Sequence, residues 1–341
     1  MLNPERFGRF QDAYVAVLAQ VSEGFDFTVS PRGNACRECL NVSFVVDDPR
    51  DRVVYIAARR VNIVFCFAEA LWYLWGRDDL EMISYYAPRL ARYSADGQRL
   101  RGSAYGPKLF APGGDGRSQW DRVMGLLAGE WGSKRAVVSF FQPAELTDAG
   151  NPDVSCTLGL QFLLRDQRLH AAAFMRGNDA VIGLLSDVFS FTFLQEFMAA
   201  QLGVGLGSYA HHVGSMHIND TDTATATAAI ENAAREGARF PLPVMPATSW
   251  HELKVLEQIE GALRRGEDQF TSGDLAGLGV HPYWQQVVLL FEVYRQITHH
   301  RDLPIRAATL EVLEPGYQWL IAHRWPKALP PGFTVPAGAL R

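Results

Sequence analysis

The sequence predicts an α+β fold, and three observations lead to this prediction. Strand-like and helix-like patterns mix along most of the chain without a regular βαβ alternation. The last ~100 residues carry mainly helical patterns. Apolar residues make up 48% and charged residues 20% of the 341 residues, which is typical of a soluble protein with a sizeable core. We expect residues 1–240 to form the main domain and residues 241–341 a helical extension packed on the same unit.

The first half of the chain contains the clearest local patterns. Apolar residues between Phe7 and Val21 recur at helical spacing and stop before Gly24, which predicts the first helix. The alternating residues 52–58 predict a strand, whereas residues 61–76 have the length of a helix and end at a glycine. Further strands are predicted at 135–141, 155–164 and 169–175, the last two joined by the polar turn 165–168.

Helical patterns dominate the rest of the chain. Ser186 is a suitable N-cap for a helix from Asp187 to about Leu202, and Gly203 follows its end. The Thr/Ala-rich residues 220–238 break the composition and mark an edge of the main unit. Two later helices are predicted at 250–263 and 284–297.

Charge and hydropathy exclude several classes of function. The net charge of −5, without a lysine-rich tail, argues against nucleic acid as a partner. There is no apolar signal core at the start and no apolar run near the ~20 residues that span a bilayer, so we expect no membrane association. Cys36 and Cys39 have metal-ligand spacing, but no second pair accompanies them, so we predict no metal. A cytoplasmic protein with reduced cysteines is expected.

Two reactive side chains interrupt apolar segments. Cys156 lies in the strand-like DVSCTLGLQF, where a lone cysteine is most often a small core residue. Asp187 lies in an apolar segment without a basic neighbour, so its carboxyl group must become neutral or find hydrogen-bond donors. The adjacent His211 and His212 point in different directions, and we assign neither to a site.

Five motifs, taken in order, resemble those of the thymidylate synthase family. They are FAEALWYLWG around Glu69, the Tyr105–Gly106 pair, SCTLGLQF around Cys156, RGNDAVIGLLSDVFSF from Arg176, and GSMHIN around His217. The resemblance covers roughly residues 7–220. Each motif is weak alone, but their common order replaces the core interpretation of the cysteine. The resemblance implies the family's α+β fold, a mixed sheet packed with helices, for the main domain.

The resemblance implies a set of catalytic residues. Cys156 would be the nucleophile, whose thiolate adds to C6 of a pyrimidine and makes C5 reactive toward 5,10-methylenetetrahydrofolate. A nearby cation, Arg176, favours the thiolate. Glu69 is a carboxylic acid in a half-apolar site and suits proton transfer near neutral pH. Tyr105 and Asp179 match further catalytic positions of the family.

A nucleotide-binding site is implied in the same way. Arg32 and Arg176 would hold the phosphate group together with Lys134 and Arg135, which in the family cross over from the second subunit of a homodimer with shared active sites. A solvated turn is the alternative interpretation of the Lys134–Arg135 pair. His217 matches the histidine that binds the sugar.

Asp187 stands where the family has asparagine. An asparagine side chain donates to O4 and accepts from N3–H, which fits uracil, whereas cytosine reverses this edge. A protonated carboxyl group supplies one donor and one acceptor and therefore matches cytosine, and apolar flanks favour the protonated form. Aspartate at this position is similar to the cytidylate hydroxymethylase branch, whose members add water instead of hydride to the C5 methylene intermediate. We therefore predict that Asp187 selects cytosine.

Other departures from the family pattern concern the sugar. Gly177 replaces a serine and Asn219 a tyrosine, and both exchanges remove bulk where a ribose 2′-OH would lie. Thr157 replaces the histidine after the nucleophile. Together with the long extension, these departures look most like the CMP 5-hydroxymethylases of nucleoside-antibiotic pathways, the mildiomycin type. The C-terminal VPAGALR is expected to close over the site as the family's tail does.

The resemblance thus implies hydroxymethylation of C5 of CMP, and of dCMP less well, with 5,10-methylenetetrahydrofolate and water and with tetrahydrofolate as a product. A dCMP hydroxymethylase and a C5-methyltransferase that delivers hydride are alternatives of the same class. A relative that only binds nucleotide or RNA is the alternative of a different class. The presence of Cys156, Glu69, Arg176 and Asp179 together argues against that last alternative.

Overall fold

The computed structural model describes residues 3–148, 150–235, 238–271 and 273–338. The strands in these ranges are β1 (Glu5–Phe7), β2 (Phe27–Val29), β3 (Cys36–Val46), β4 (Val137–Ser139), β5 (Thr157–Arg165), β6 (Arg168–Met175), β7 (Asn178–Asp179) and β8 (Gly205–Asn219). The helices are α1 (Phe10–Glu23), α2 (Ile63–Leu74), α3 (Leu80–Tyr86), α4 (Tyr105–Phe110), α5 (Gln119–Gly129), α6 (Gly183–Leu202), α7 (Thr223–Arg235), α8 (Trp250–Arg265), α9 (Pro282–His299), α10 (Ala307–Glu311) and α11 (Pro315–Arg324). The expected closure by VPAGALR falls partly on residues 339–341, outside the described residues.

A single mixed sheet forms the centre of the fold. Its strand order is β1-β3-β8-β6-β5-β4, with β2 paired to β3 and β7 paired to β8. The β1–β3, β6–β8 and β7–β8 pairs are parallel, and the other pairs are antiparallel. Helices α1 and α6 pack on one face of this sheet. The predicted α+β class is confirmed.

The β5–β6 hairpin forms where the sequence predicts it. Asp166 and Gln167 take left-handed backbone conformations, with φ of 48° and 58°, which suit the tight turn between two antiparallel strands. The inward side chains of both strands alternate with exposed ones, so the register follows the apolar pattern. The hairpin brings the residue before β5 next to the residue after β6.

Helix α6 begins earlier than predicted. The expected N-cap at Ser186 is wrong, because the helix starts at Gly183 and Ser186 lies within its first turn. The cause is Asp179, whose Oδ1 accepts hydrogen bonds from the backbone N–H groups of Val181 and Ile182 at 2.7 and 2.8 Å and orders the preceding turn. Asp187 is therefore a residue inside the helix, beyond its first turn.

The strand predicted at residues 52–58 is also wrong. Residues 51–56 have no regular structure and lead into a short 3-10 turn, Ala57–Arg59. The side chains of Val53, Val54 and Tyr55 are buried, but the backbone N–H of Tyr55 donates to Gln11 Oε1 at 2.7 Å rather than to a neighbouring strand. The alternation in the sequence therefore reflects burial without a sheet partner.

Residues 220–238, predicted as an edge of the main unit, contain helix α7, which packs on α1. The extension that follows is helical, as predicted, and covers α2 and α6. Trp284 of α9 contacts Phe193 with ring centroids 6.1 Å apart, and Tyr317 of α11 contacts Phe67 at 5.8 Å. The extension and the main domain share one hydrophobic core, and the boundary at residue 240 stays a prediction. Within the described residues, no helix is both long and apolar enough to cross a membrane.

Candidate active site

The β5–β6 hairpin places Cys156 beside Arg176. The backbone N–H of Arg176 donates to the carbonyl of Cys156 at 2.9 Å. The guanidinium group is held by the carbonyls of Ser155 and Val154 at 2.8 and 2.9 Å, and its Nη2 lies 3.7 Å from Cys156 Sγ. Cys156 is an exposed residue, unlike the buried Cys36, Cys39 and Cys66. It is therefore the one exposed cysteine among the described residues.

The groups around the Cys156 thiol act on its pKa in opposite directions. Desolvation by the packed surroundings raises the pKa and outweighs the effect of Arg176, which lowers it. Asp187 acts to raise the pKa, and Arg32 acts to lower it. Arg32 lies at a turn, with its Nη1 donating to the carbonyl of Pro152 at 3.2 Å. The two arginines are thus the groups that favour the thiolate.

The hydroxyl of Tyr105 binds Thr157, the residue that follows the nucleophile Cys156. Thr157 Oγ1 donates to the Tyr105 hydroxyl at 2.8 Å, and the backbone N–H of Thr157 lies 3.3 Å from the same oxygen. The Tyr105 ring stacks on Phe140 with centroids 4.4 Å apart. Burial raises the pKa of Tyr105 well above its usual value, so the hydroxyl stays protonated. Thr157 therefore helps to hold a neutral tyrosine side chain in place.

Glu69 lies on α2 among aromatic and aliphatic side chains, as predicted. Its Oε2 accepts a hydrogen bond from Ser190 Oγ of α6 at 3.4 Å. Burial raises the pKa of Glu69 to about 8, and the charge of Asp187 acts in the same direction. A carboxyl group in this range exchanges protons at neutral pH, which suits a general acid or base.

Asp187 lies on α6 and receives a hydrogen bond from a residue that the sequence did not single out. Asn178 Nδ2 donates to Asp187 Oδ2 at 2.6 Å. Burial raises the pKa of Asp187 to about 7, although the Asn178 hydrogen bond acts to lower it. Near neutral pH the side chain is thus present in both the protonated and ionised forms.

Behind Asn178 lies a buried polar chain that the sequence analysis missed. His211 Nε2 lies 3.4 Å from Asn178 Oδ1, and His211 Nδ1 lies 2.8 Å from the Tyr209 hydroxyl. Burial lowers the pKa of His211 to about 3, so the ring is neutral. The alternation of side chains along β8 could have predicted the buried position of His211, because Tyr209, His211 and Val213 share the inward face of the strand.

Asp179 and Asn219 are joined by a side-chain hydrogen bond. Asn219 Nδ2 donates to Asp179 Oδ2 at 2.9 Å, while the other carboxylate oxygen binds the turn before α6. His217 lies across from Asp179 in the β7–β8 pair and is half-buried. The structure therefore brings the three residues together at the end of β8, and their proposed roles stay predictions.

Lys134 and Arg135 lie on the surface of the single chain. Both side chains are exposed, and Arg135 pairs with Glu130 on the surface. Gly177 follows Arg176 directly, and a Cβ atom added to it would meet only the carbonyl oxygen of Ser215 at 3.6 Å. The backbone at Gly177 could therefore carry a larger residue without a clash.

A pocket of about 250 Å³ is lined in part by α2 and α6, the helices that carry Glu69 and Asp187. Its lining includes Ser186, next to Asp187, and Cys66, one helical turn before Glu69. The lining also contains four arginines and no carboxylate among the described residues: Arg59, Arg60, Arg89 and Arg324. Burial, together with the nearby Arg60, lowers the pKa of Arg324. Such a concentration of positive charge suits a ligand that carries carboxylates.

No group of three or more His, Cys, Asp or Glu side chains that could hold a metal ion occurs in the described ranges.

A family model of thymidylate synthase matches residues 12–260. The chain belongs to the thymidylate synthase family. The predicted family is thereby confirmed. Folate-dependent modification of C5 of a pyrimidine nucleotide, with methylenetetrahydrofolate, is the chemistry that membership of the thymidylate synthase family supports.

Several phage proteins resemble this thymidylate synthase relative. A deoxyuridylate hydroxymethyltransferase of Delftia phage PhiW-14 is 28% identical over 269 residues, which cover 71% of this chain and 72% of the phage protein. A deoxycytidylate 5-hydroxymethyltransferase of Enterobacteria phage T4 is 26% identical over 203 residues, covering 57% of this chain and 79% of that protein. A thymidylate synthase of Symbiobacterium thermophilum is 30% identical over 165 residues, covering 44% and 57%. The two phage hydroxymethyltransferases support the hydroxymethylase branch.

The raised pKa of Asp187 makes a prediction for stability. Its folded-state pKa of about 7 exceeds the value near 4 of an unfolded aspartate, so the folded protein holds an extra proton between these pH values. Stability should therefore fall as pH rises from about 4 to about 7, by at most about 1.4 kcal/mol per pH unit for this group. Asp187→Asn should flatten the dependence of Tm on pH, as measured by thermal unfolding.

The exposed Asp302 offers a matched control. Asp302→Asn should leave the slope of Tm against pH as it is in the wild type. An equal slope in Asp187→Asn and the wild type would contradict the raised pKa.

Proposed function

We propose that the protein hydroxymethylates C5 of cytosine nucleotides, CMP in preference to dCMP, with 5,10-methylenetetrahydrofolate and water. One observation carries the choice of base: Asp187, with its pKa raised to about 7, lies in the same site as the exposed Cys156. A protonated carboxyl group donates to N3 of cytosine and accepts from the 4-amino group. Asparagine, the residue of the family at this position, offers no proton to transfer.

A second candidate is hydroxymethylation of deoxyuridylate. It is favoured by the similarity to the deoxyuridylate hydroxymethyltransferase of the Delftia phage. The carboxyl group at position 187 argues for the cytosine nucleotide, because N3 of cytosine accepts a proton whereas N3 of uracil already carries one.

The proposed reaction begins at Cys156. The thiolate, favoured by Arg176 and Arg32, forms a bond to C6 of the base, and the electrons of the C5–C6 double bond move into the ring. Asp187 supplies the proton that neutralises N3, so C5 becomes an enamine carbon. The Tyr105 hydroxyl accepts from Thr157 and keeps its own hydrogen for a donor role near C5.

Glu69 is the proposed general base for the water that completes the reaction. Its pKa of about 8 allows it to take a proton from that water and to return it when the bond between Sγ and C6 breaks. C5 bonds to the CH₂ group of methylenetetrahydrofolate, the C5 proton leaves to a base, and tetrahydrofolate departs with the electrons of its N–CH₂ bond, which leaves a methylene group double-bonded to C5. Water, rather than hydride, adds to this methylene group, and the departure of the Cys156 thiolate from C6 restores the C5–C6 double bond.

The pocket lined in part by α2 and α6 is the proposed site of this co-substrate. Arg59 is anchored by the carbonyl of Val181 at 2.6 Å, and Arg60 by the carbonyl of Arg324 at 2.8 Å. The glutamyl carboxylates of a folate fit a pocket lined with arginines and free of carboxylates in its described lining. Through Arg324, the helical extension would take part in holding the folate.

We also propose a homodimer with shared sites, in which the exposed Lys134 and Arg135 reach the phosphate of the other subunit. The sheet face away from α1 and α6 supports this, because it exposes apolar side chains such as Leu158 and Phe174. Phe174 stacks on His212 there, with ring centroids 5.0 Å apart. A second copy of the chain would cover this face. We propose that such a CMP-specific enzyme acts in nucleoside-antibiotic biosynthesis.

The product tests the proposed reaction. The protein is incubated with methylenetetrahydrofolate and CMP, dCMP, UMP or dUMP in water enriched in ¹⁸O, and the nucleotides are weighed by mass spectrometry. CMP should gain one CH₂O unit that carries ¹⁸O, and dCMP should do so more slowly. Cys156→Ser should form no product while it still binds CMP, because a hydroxyl group is a much weaker nucleophile.

Two results would contradict the proposal. A gain of CH₂ without ¹⁸O would mean methylation by hydride transfer. Hydroxymethylation of dUMP alone would favour the second candidate.

The choice of sugar is tested at Gly177. Serine at this position fits the backbone, since the nearest atom to its Cβ is 3.6 Å away, and it adds bulk beside the sugar and phosphate. Gly177→Ser should lower the CMP:dCMP ratio of kcat/KM by about tenfold. The control Gly8→Ser, at a position with open space, should keep the ratio. If Gly177→Ser keeps it as well, sugar choice lies elsewhere.

A further inference from the structure

Tyr209, His211 and Asn178 form a buried chain of hydrogen bonds that ends at Asp187. The direction of these hydrogen bonds determines whether Asp187 offers a donor or an acceptor to the base. The chain runs from the Tyr209 hydroxyl through His211 and Asn178 to Asp187 Oδ2, over distances of 2.8, 3.4 and 2.6 Å. Tyr209 and His211 are 0% exposed, and Asn178 is 3% exposed. Burying polar groups in a hydrophobic core is costly unless they are all paired, and apolar residues could fill the same space. The chain therefore needs an explanation beyond packing.

A neutral imidazole has one donor and one acceptor, so the chain can run in two directions. In the forward direction, the Tyr209 hydroxyl donates to His211 Nδ1, His211 Nε2–H donates to Asn178 Oδ1, and Asn178 Nδ2–H donates to Asp187 Oδ2. In the reverse direction, Asp187 Oδ2–H donates to Asn178, which donates to His211, which donates to the Tyr209 oxygen. Burial keeps His211 neutral by lowering its pKa to about 3, so both directions use the neutral ring.

Tyr209 decides between the two directions. Among the described residues, His211 is the hydrogen-bond partner that its hydroxyl group has. The reverse direction would leave the buried O–H of Tyr209 without an acceptor, whereas the forward direction satisfies every member of the chain. Gly183 keeps room for this arrangement, because a Cβ there would lie 3.3 Å from Asn178 Nδ2. The forward direction is therefore favoured.

We propose that Tyr209, His211 and Asn178 are positioning residues that fix which oxygen of Asp187 carries the proton. In the forward direction Oδ2 is held as an acceptor, so the proton resides on Oδ1 and can be donated to N3 of cytosine. In the reverse direction the proton points at Asn178, and the carboxyl group offers the base acceptors that suit N3–H of uracil. The proposal rests on the proposed function and adds residues that do not touch the substrate.

The test compares the CMP:UMP ratio of kcat/KM among variants of the full-length protein. Tyr209→Phe keeps the ring volume and removes the donor that sets the direction, and His211→Leu breaks the chain. Both should lower the ratio by about tenfold, while His211→Gln, which keeps a donor near the Nε2 position, should restore part of it. The matched control is Tyr294→Phe, because Tyr294 is also buried but its hydroxyl, on helix α9, donates to the carbonyl of Tyr85 at 3.0 Å.

The outcomes separate this proposal from the proposed function. A merely structural role would lower kcat/KM for both bases alike and leave the ratio unchanged, so an unchanged ratio in folded Tyr209→Phe and His211→Leu overturns the positioning role. A wild type that prefers UMP contradicts the proposed function alone. The change of the CMP:UMP ratio between wild type and variants still tests the positioning role of the hydrogen-bond chain. An equal fall in the Tyr294→Phe control would also overturn the proposal.

Discussion

The proton on Asp187 is the constraint on which the active site depends. Helix α6 places this carboxyl group among apolar side chains, and its hydrogen-bond donor in the described residues is a neutral amide. Its pKa is therefore raised to about 7, and the charge of Asp187 in turn raises the pKa of Glu69. With these raised pKa values, Asp187 can give a proton to the base and Glu69 can exchange a proton with water near neutral pH. A residue that stays ionised at position 187 would remove this property.

Several elements of the fold place the other reactive side chains of the site around this carboxyl group. The β5–β6 hairpin supplies Cys156 and Arg176, α2 supplies Glu69, and β8 supplies the buried chain that ends at Asn178. The helical extension packs on α2 and α6, the helices that carry the two carboxyl groups, and lines the arginine pocket through Arg324. Its packing thus fixes the positions of the acids as well as the size of the core.

The parts of the site that follow from local sequence could be predicted. The hairpin needs a polar turn between two alternating segments, and Glu69 stands out because it interrupts an aromatic helix. The start of α6 could not be predicted, because Asp179 orders the preceding turn through hydrogen bonds. The partnership of Asn178 and His211 was missed because it joins residues far apart in sequence, which meet only through the parallel pairing of β7 with β8.

The central claim, that the carboxyl group of Asp187 selects cytosine, is tested most directly by the CMP:UMP ratio of kcat/KM in the wild type and in Asp187→Asn. The amide keeps the size of the side chain but has no proton to give to N3. The account predicts that the ratio falls roughly tenfold to hundredfold and that turnover of UMP or dUMP becomes measurable. An unchanged ratio in a folded Asp187→Asn protein would contradict the account.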